Sequence, residues 1–187
     1  LMERLLKLAR RIDALNRWVG AACRWIVLVM LGLGVWTVIG RYLGVLVGRN
    51  LSSNSLIEGQ WYAFAMVFLL AAATTLEAGG HVRVDVLQGR WSPRRQARAE
   101  LIGTLLLLIP FCLMMLMVSW GSVVSSWSIF EASPDPGGLP RYPIKTIVPI
   151  GFALLLLQGV SEAIKAWSRC RDGDDGAGDT HPKGGEG

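Results

Sequence analysis

The chain has 187 residues, a formal net charge of +5 and 52% hydrophobic residues, a composition that by itself would allow a soluble domain. Its distribution excludes one. Four apolar stretches, roughly residues 22–40, 57–76, 101–124 and 144–167, each reach the ~20 helical residues that cross a hydrocarbon core of about 30 Å, and they leave no room for a separate folded domain of ordinary size.

In chain order, residues 2–18 place Leu5, Leu8, Ile12 and Leu15 at three- and four-residue spacing, with Arg and Lys filling most positions between them. That pattern predicts a basic amphipathic helix, expected to lie in the membrane interface, held by its apolar face and by anionic membrane lipid, with a simple cytoplasmic extension of the first helix as the alternative. The first span, from Trp25 to Gly40, carries no charge. The VGAAC stretch ending at Cys23 superficially resembles a lipoprotein cleavage site, but its apolar run follows the cysteine, so the span reads as an uncleaved signal anchor. After a Gly- and Ser-punctuated loop, the second span opens on Glu58 and ends at Glu77, where Gly79 and Gly80 supply a helix C-terminus.

The connector GGHVRVD (Gly79 to Asp85) alternates His81, Arg83 and Asp85 with valines, so an extended path would put the polar three on one side. One His with one carboxylate is a poor ligand set, and the neighbouring Arg disfavours a cation; a packed connector with internal salt bridges is the better reading. The third span, Leu101 to Trp127, is again uncharged and contains Pro110. SPDPGGLPRYP (Ser133 to Pro143) forms turns and a rigid path into the fourth span, which contains Pro149. Each of these in-span prolines removes a backbone hydrogen bond and is expected to kink its helix. From about Arg171 the chain is Gly- and Asp-rich without apolar periodicity, which predicts disorder.

The charges set the topology. Only Arg41, Arg49, Arg141 and Lys145 fall in the first and third loops; every other Lys and Arg precedes the first span, joins spans two and three, or follows span four. By the positive-inside rule both termini are cytoplasmic. Trp18, Trp25 and Trp167 then mark cytoplasmic interfaces and Trp61 and Trp127 external ones, while Trp36 and Trp120 lie deeper and are expected to face protein. The expected organisation is all-α: residues 1–20 as a cytoplasmic amphipathic helix, 21–168 as a four-helix transmembrane domain, and 169–187 as a disordered cytoplasmic tail.

Ionisable groups within membrane spans are functional candidates because they are expensive there. Here Glu58, Glu77, Lys145, Glu162 and Lys165 all sit near span ends, none at mid-membrane; Glu162 and Lys165 are spaced to pair, and Glu58 is expected to pair with a basic group. A haem-bearing membrane anchor needs axial ligands such as His inside spans, and only His81 and His181 exist. A hydrolase lacks any nucleophile–base arrangement. A self-sufficient proton-coupled exporter working as a homodimer remains the alternative, with Glu58 as its one candidate carboxylate. The halves show no internal repeat, which counts against an inverted-repeat transporter.

These residues, in this order, resemble the small permease subunit of tripartite ATP-independent periplasmic (TRAP) transporters, the DctQ-like family. The resemblance is carried by the basic N-terminal helix, Arg41 and Tyr42 after span one, Glu58 opening span two and the GGHVRVD connector. PGGLP (Pro136 to Pro140), VPIG (Val148 to Gly151) and LLQGVSEAIK (Leu156 to Lys165) complete it. Glu77 departs from the pattern, since relatives often carry a basic residue there. The resemblance implies a subunit of the bacterial inner membrane with no catalysis and no cofactor. It implies stable association with a large permease subunit that moves an organic acid under a sodium gradient, and transient contact with a periplasmic binding protein; nucleic acid is not a partner. Structural or subunit-interface roles are implied for Arg41, Glu58, Gly80, His81, Arg83, Asp85, Gly137, Gly138, Pro149 and Glu162.

Overall fold

A computed structural model describes residues 2–48, 52–79 and 93–175. The described residues form helices α1 (Met2–Val47), α2 (Asn54–Glu77), α3 (Pro93–Gly103), α4 (Ile109–Ser128) and α5 (Tyr142–Asp175), with a π-helical turn, Thr104–Leu108, joining α3 to α4. The α3–α4 rod and the other three helices are each long and apolar enough to cross a membrane. No strand occurs among the described residues.

Local chemistry sets the ends of these elements. α1 has no internal proline and runs unbroken from the basic segment through the first apolar stretch until Gly48, at φ +70°. Residues 2–18 are therefore continuous with the first span. Their inward positions Ala9, Ile12, Asp13 and Asn16 are buried, whereas Leu8 and Leu15 face outward. α2 ends at Gly79, whose φ of +67° a side chain would resist. α4 closes in a Schellman arrangement: the Phe130 N–H donates to the Trp127 carbonyl and the Glu131 N–H to the Ser126 carbonyl. The left-handed position there is occupied by Phe130 itself, at φ +46°, which costs roughly 1–2 kcal/mol.

The two in-span prolines are handled differently. Pro110 has no N–H to return to Leu106, and the turn just before it widens: the Ile109 N–H reaches back to the Thr104 carbonyl, a π-type bond. Pro149 lies buried inside α5. α5 also runs on through Asp175, past the boundary at 168 expected from sequence. The final stretch from 176 lies outside the described residues.

α5 is the hub, packing against α1, α2, α3 and α4, and α1 packs along α2 as well. Glycines make the close approaches possible. A Cβ on Gly151 would lie 2.9 Å from the Leu69 Cβ and 3.0 Å from the Leu69 carbonyl oxygen of α2. At Gly20 it would lie 2.7 Å from the Thr74 side chain, and at Gly159 2.9 Å from Leu108. Small residues at helix crossings are how membrane helices gain packing contact without a hydrophobic driving force. The outer faces of α1 and α4 remain open; Trp36 and Trp120 lie on them, more than half exposed.

Gly151→Val forces α5 off the α2 backbone, whereas Gly32→Val meets nothing within 4 Å. Thermal unfolding in detergent is expected to show Gly151→Val destabilised by about 1–3 kcal/mol, as overpacked cores are. Gly32→Val should stay close to the unchanged protein.

Candidate functional site

Two polar clusters, one at each end of the bundle, collect nearly all of the buried polarity. At the end where α1 begins and α5 finishes, Gln158 and Ser161 of α5 face Asp13 and Asn16 of α1, and all four are at least nine-tenths buried. The Asn16 amide donates to Gln158 Oε1 at 2.7 Å, and Gln158 Nε2 donates to Asp13 Oδ1 at 3.0 Å and to Glu162 Oε1 at 3.1 Å. Ser161 Oγ donates to the same Asp13 oxygen at 2.8 Å and contacts the Ala9 carbonyl at 3.3 Å. Lys165 closes the cluster, its Nζ 2.9 Å from both Asp13 Oδ2 and Glu162 Oε1.

Neighbouring ties extend this seam. Thr74 Oγ1 donates to the Asn16 carbonyl at 2.9 Å, and Arg17 pairs with Glu77 at 2.6 Å. The departure at Glu77 thus has a basic partner on α1. Arg169 of α5 pairs with Glu100 of α3 at 2.8 Å. The N-terminal third of α1, α2, α3 and α5 are in this way bolted together at one level. Among the described residues, Asn16 Oδ1 is the buried side-chain oxygen left without a partner.

At the opposite end, Glu58 projects from the first turns of α2 into the loop between α4 and α5, with 2% of its surface exposed. The Ser133 hydroxyl donates to one carboxylate oxygen and the Leu139 backbone N–H to the other. Sequence reasoning expected a basic partner; the loop supplies neutral donors instead, with Arg141 near enough to interact electrostatically. Gly138 sits so close that a Cβ would come within 2.7 Å of the Glu58 carboxylate and 2.5 Å of Ser133, and Gly137, at φ +73°, makes the turn. Asn54 donates to the Pro136 carbonyl at 3.0 Å, and Ser55 donates to that of Gly137.

The other half of the loop is tied to α4 and α5. Glu131 accepts from Ser126 Oγ at 2.7 Å and pairs with Lys145. Trp127 Nε1 donates to Thr146 Oγ1 at 2.9 Å while its ring packs edge-on against Tyr142. The Lys145 ammonium and then the Ser126 hydroxyl hold the Glu131 carboxyl below its ordinary value.

Of the other residues singled out from sequence, Pro149 is buried in α5 and Arg41 is exposed on α1. Gly80, His81, Arg83 and Asp85 lie outside the described residues. Asp13, Asn16, Gln158 and Ser161 were not anticipated. Their signal was present: polar side chains at 158, 161, 162 and 165 recur at helical spacing on one face of an otherwise apolar span. Among the described residues no three of His, Cys, Asp and Glu gather as metal ligands. The serine hydroxyls of these clusters, Ser126, Ser133 and Ser161, donate to carboxylates that tie helices and loop together, so what the clusters offer is helix-to-helix connection.

A family model described as tripartite ATP-independent periplasmic transporters, DctQ component, matches residues 30–169. No curated protein and no solved structure matches the chain.

Because the folded state holds Glu131 below its ordinary value, the clasp contributes stability that is complete above the usual Glu range, near 4.3, and is lost as pH falls through the lowered folded value. The difference in melting temperature between the unchanged chain and Glu131→Gln is therefore expected to be constant near neutrality. It should shrink only once the pH drops below about 4.

Proposed function

The chain belongs to the DctQ component family of tripartite ATP-independent periplasmic transporters, and we propose that this small membrane subunit works as a brace. In this reading it lines up beside the static scaffold of the large permease subunit while that subunit carries an organic acid inward on a sodium gradient. A periplasmic binding protein delivers the acid. The family is a transporter component and not an enzyme family.

One observation carries the reading: among the described residues each buried polar side chain makes at least one bond inside the chain, Asn16 through its amide nitrogen. Asp13, Asn16, Gln158 and Ser161 bond one another, Glu58 holds the loop, Ser126 bonds Glu131, and Thr37 Oγ1 donates to the Leu33 carbonyl one turn away. A coupling site needs polar groups free to exchange an ion or proton near the bilayer midplane. Here the charged groups sit toward the two ends and hold helices in place. Glu58, the one carboxylate that the rival proton-coupled exporter could use, has each of its oxygens occupied by a donor from the loop.

Topology follows from the charges. With both termini in the cytoplasm, the Asp13–Lys165 seam lies at the cytoplasmic face of the inner membrane and the Glu58 loop at the periplasmic face. The loop apex, with Asp135, Pro136 and Gly137 exposed, is then presented on the side where a binding protein docks. The rigidity given to that loop by Glu58 and Glu131 suits a surface that must keep its shape during transient contacts.

Mild-detergent purification of this chain from its native membrane, followed by mass spectrometry, is expected to recover one large multi-span subunit in stoichiometric amount. Recovery of a homodimer alone would overturn the brace and favour the exporter.

A further inference from the structure

The two ends of the bundle treat their charges differently. At the loop end, Lys145 pairs with Glu131, and Arg141 lies close enough to Glu58 to interact with it. At the end where α1 begins, Asp13 and Glu162 are both held by Lys165, Glu77 by Arg17 and Glu100 by Arg169. These acids are engaged inside the chain, and several cations are left facing outward. Arg95 and Arg98 of α3 are both exposed, and neither makes an ion pair among the described residues.

α3 holds these arginines in a fixed relation to apolar surface. Its inner side packs on α5 through the buried Ala97, and the 2.8 Å Glu100–Arg169 pair ties it there. The outward side carries Arg95, Arg98, Ile102 and Leu105 at spacings of three, four and three residues, and the π-helical turn adds Leu106. Ile102, Leu105 and Leu106 are exposed, so one face passes from basic to apolar within a single turn. Arg169 lies one turn beyond Lys165 on α5, so Glu100 marks the level just outside the Asp13–Lys165 seam, and the uncharged third span begins at the next residue. At 1.5 Å per residue the Arg98 and Arg95 Cα atoms stand about 6 and 10 Å above Ile102. Their long side chains therefore reach the headgroup layer, roughly 5–7 Å deep on each side of the hydrocarbon.

We propose that the outward face of α3 binds an anionic phospholipid, Arg95 and Arg98 holding its headgroup phosphate while Ile102, Leu105 and Leu106 lie against its acyl chains. Two guanidinium forks match the oxygens of a phosphodiester and keep their charge at any physiological pH. A zwitterionic lipid brings its own ammonium beside the arginines, whereas an anionic one brings none, so the pair selects by net charge. An acidic soluble protein would answer the arginines and leave the apolar residues beneath them uncovered; the anionic lipid answers both at once. α1 repeats the arrangement on a smaller scale, with exposed Lys7 and Arg11 beside Leu8 and Leu15. Such a lipid fixes the height of α3 in its leaflet and, through the Glu100–Arg169 pair, that of α5. The inference concerns the lipid around this chain and stands apart from the brace reading.

The test uses the transporter as purified from its membrane, in phosphatidylcholine nanodiscs containing a few per cent of a photoactivatable phosphatidylglycerol or of the matched phosphatidylcholine probe. Mass spectrometry reads the label on the Ile102–Leu108 stretch. The phosphatidylglycerol probe is expected to label it several-fold more than the phosphatidylcholine probe. Arg95→Gln or Arg98→Gln should each lower that ratio about fivefold, the weight of one basic residue at an anionic surface. Arg95→Lys with Arg98→Lys should retain most of it, and Arg41→Gln, at the other end of the chain, should leave it unchanged. Equal labelling by the two probes, a ratio that survives Arg95→Gln with Arg98→Gln, or no labelling of this stretch by either probe would overturn the proposal. So would loss of the preference on adding inorganic phosphate at constant ionic strength, which would make the free anion the ligand.

Discussion

Lipid tails are as apolar as leucine, so apolar contact alone gives helices in a membrane little reason to prefer one another over solvent. What fixes this bundle is the polar seam between α1 and α5. Asp13, Asn16, Gln158, Ser161, Glu162 and Lys165 form one connected set of bonds, and each satisfies groups that would otherwise be stranded away from water. Individual bonds of this kind contribute modestly, about 0.6 kcal/mol on average and up to about 1.7. Their larger effect is on register: only one axial setting of α1 against α5 pairs them all. With that setting fixed, Gly20 meets Thr74, Gly151 meets Leu69 and Gly159 meets Leu108, and the glycine contacts follow as consequences.

The seam also explains why α1 is one helix. A basic amphipathic segment with Leu5, Leu8, Ile12 and Leu15 could lie flat on a membrane, and the sequence pattern permits that. The pattern does not show that Asp13 and Asn16, on the polar side of the segment, have partners 140 and more residues away. Bonding them to α5 requires the segment to rise along the bundle axis as an extension of the first span. The buried face thus combines Ala9 and Ile12 with Asp13 and Asn16, while Leu8 and Leu15 are exposed alongside the basic residues, where they can meet lipid headgroups and acyl chains or another subunit.

Helix number and type were legible because hydropathy over ~20 residues is a strong signal, and Pro110, Gly79 and the Glu162–Lys165 spacing each marked a real local feature. The partner of Glu58 was not legible, since a serine hydroxyl and a backbone N–H from a loop 75 and more residues on leave no charge to match. Gln158 and Ser161 escaped notice for a related reason: uncharged polar residues scarcely lower the hydropathy of a span. Their three-residue spacing was the only clue.

Bracing, as proposed, assigns the charged and polar residues of this subunit to structure and leaves ion coupling to the large subunit. The most direct measurement is sodium-dependent uptake by proteoliposomes containing the whole transporter, comparing the unchanged small subunit with Glu58→Gln and with the paired change Asp13→Asn, Lys165→Met. Bracing predicts that the assembled complex melts at lower temperature while the sodium dependence of uptake, in half-saturating concentration and in steepness, stays the same. A shifted sodium dependence in a complex of unchanged stability would contradict it.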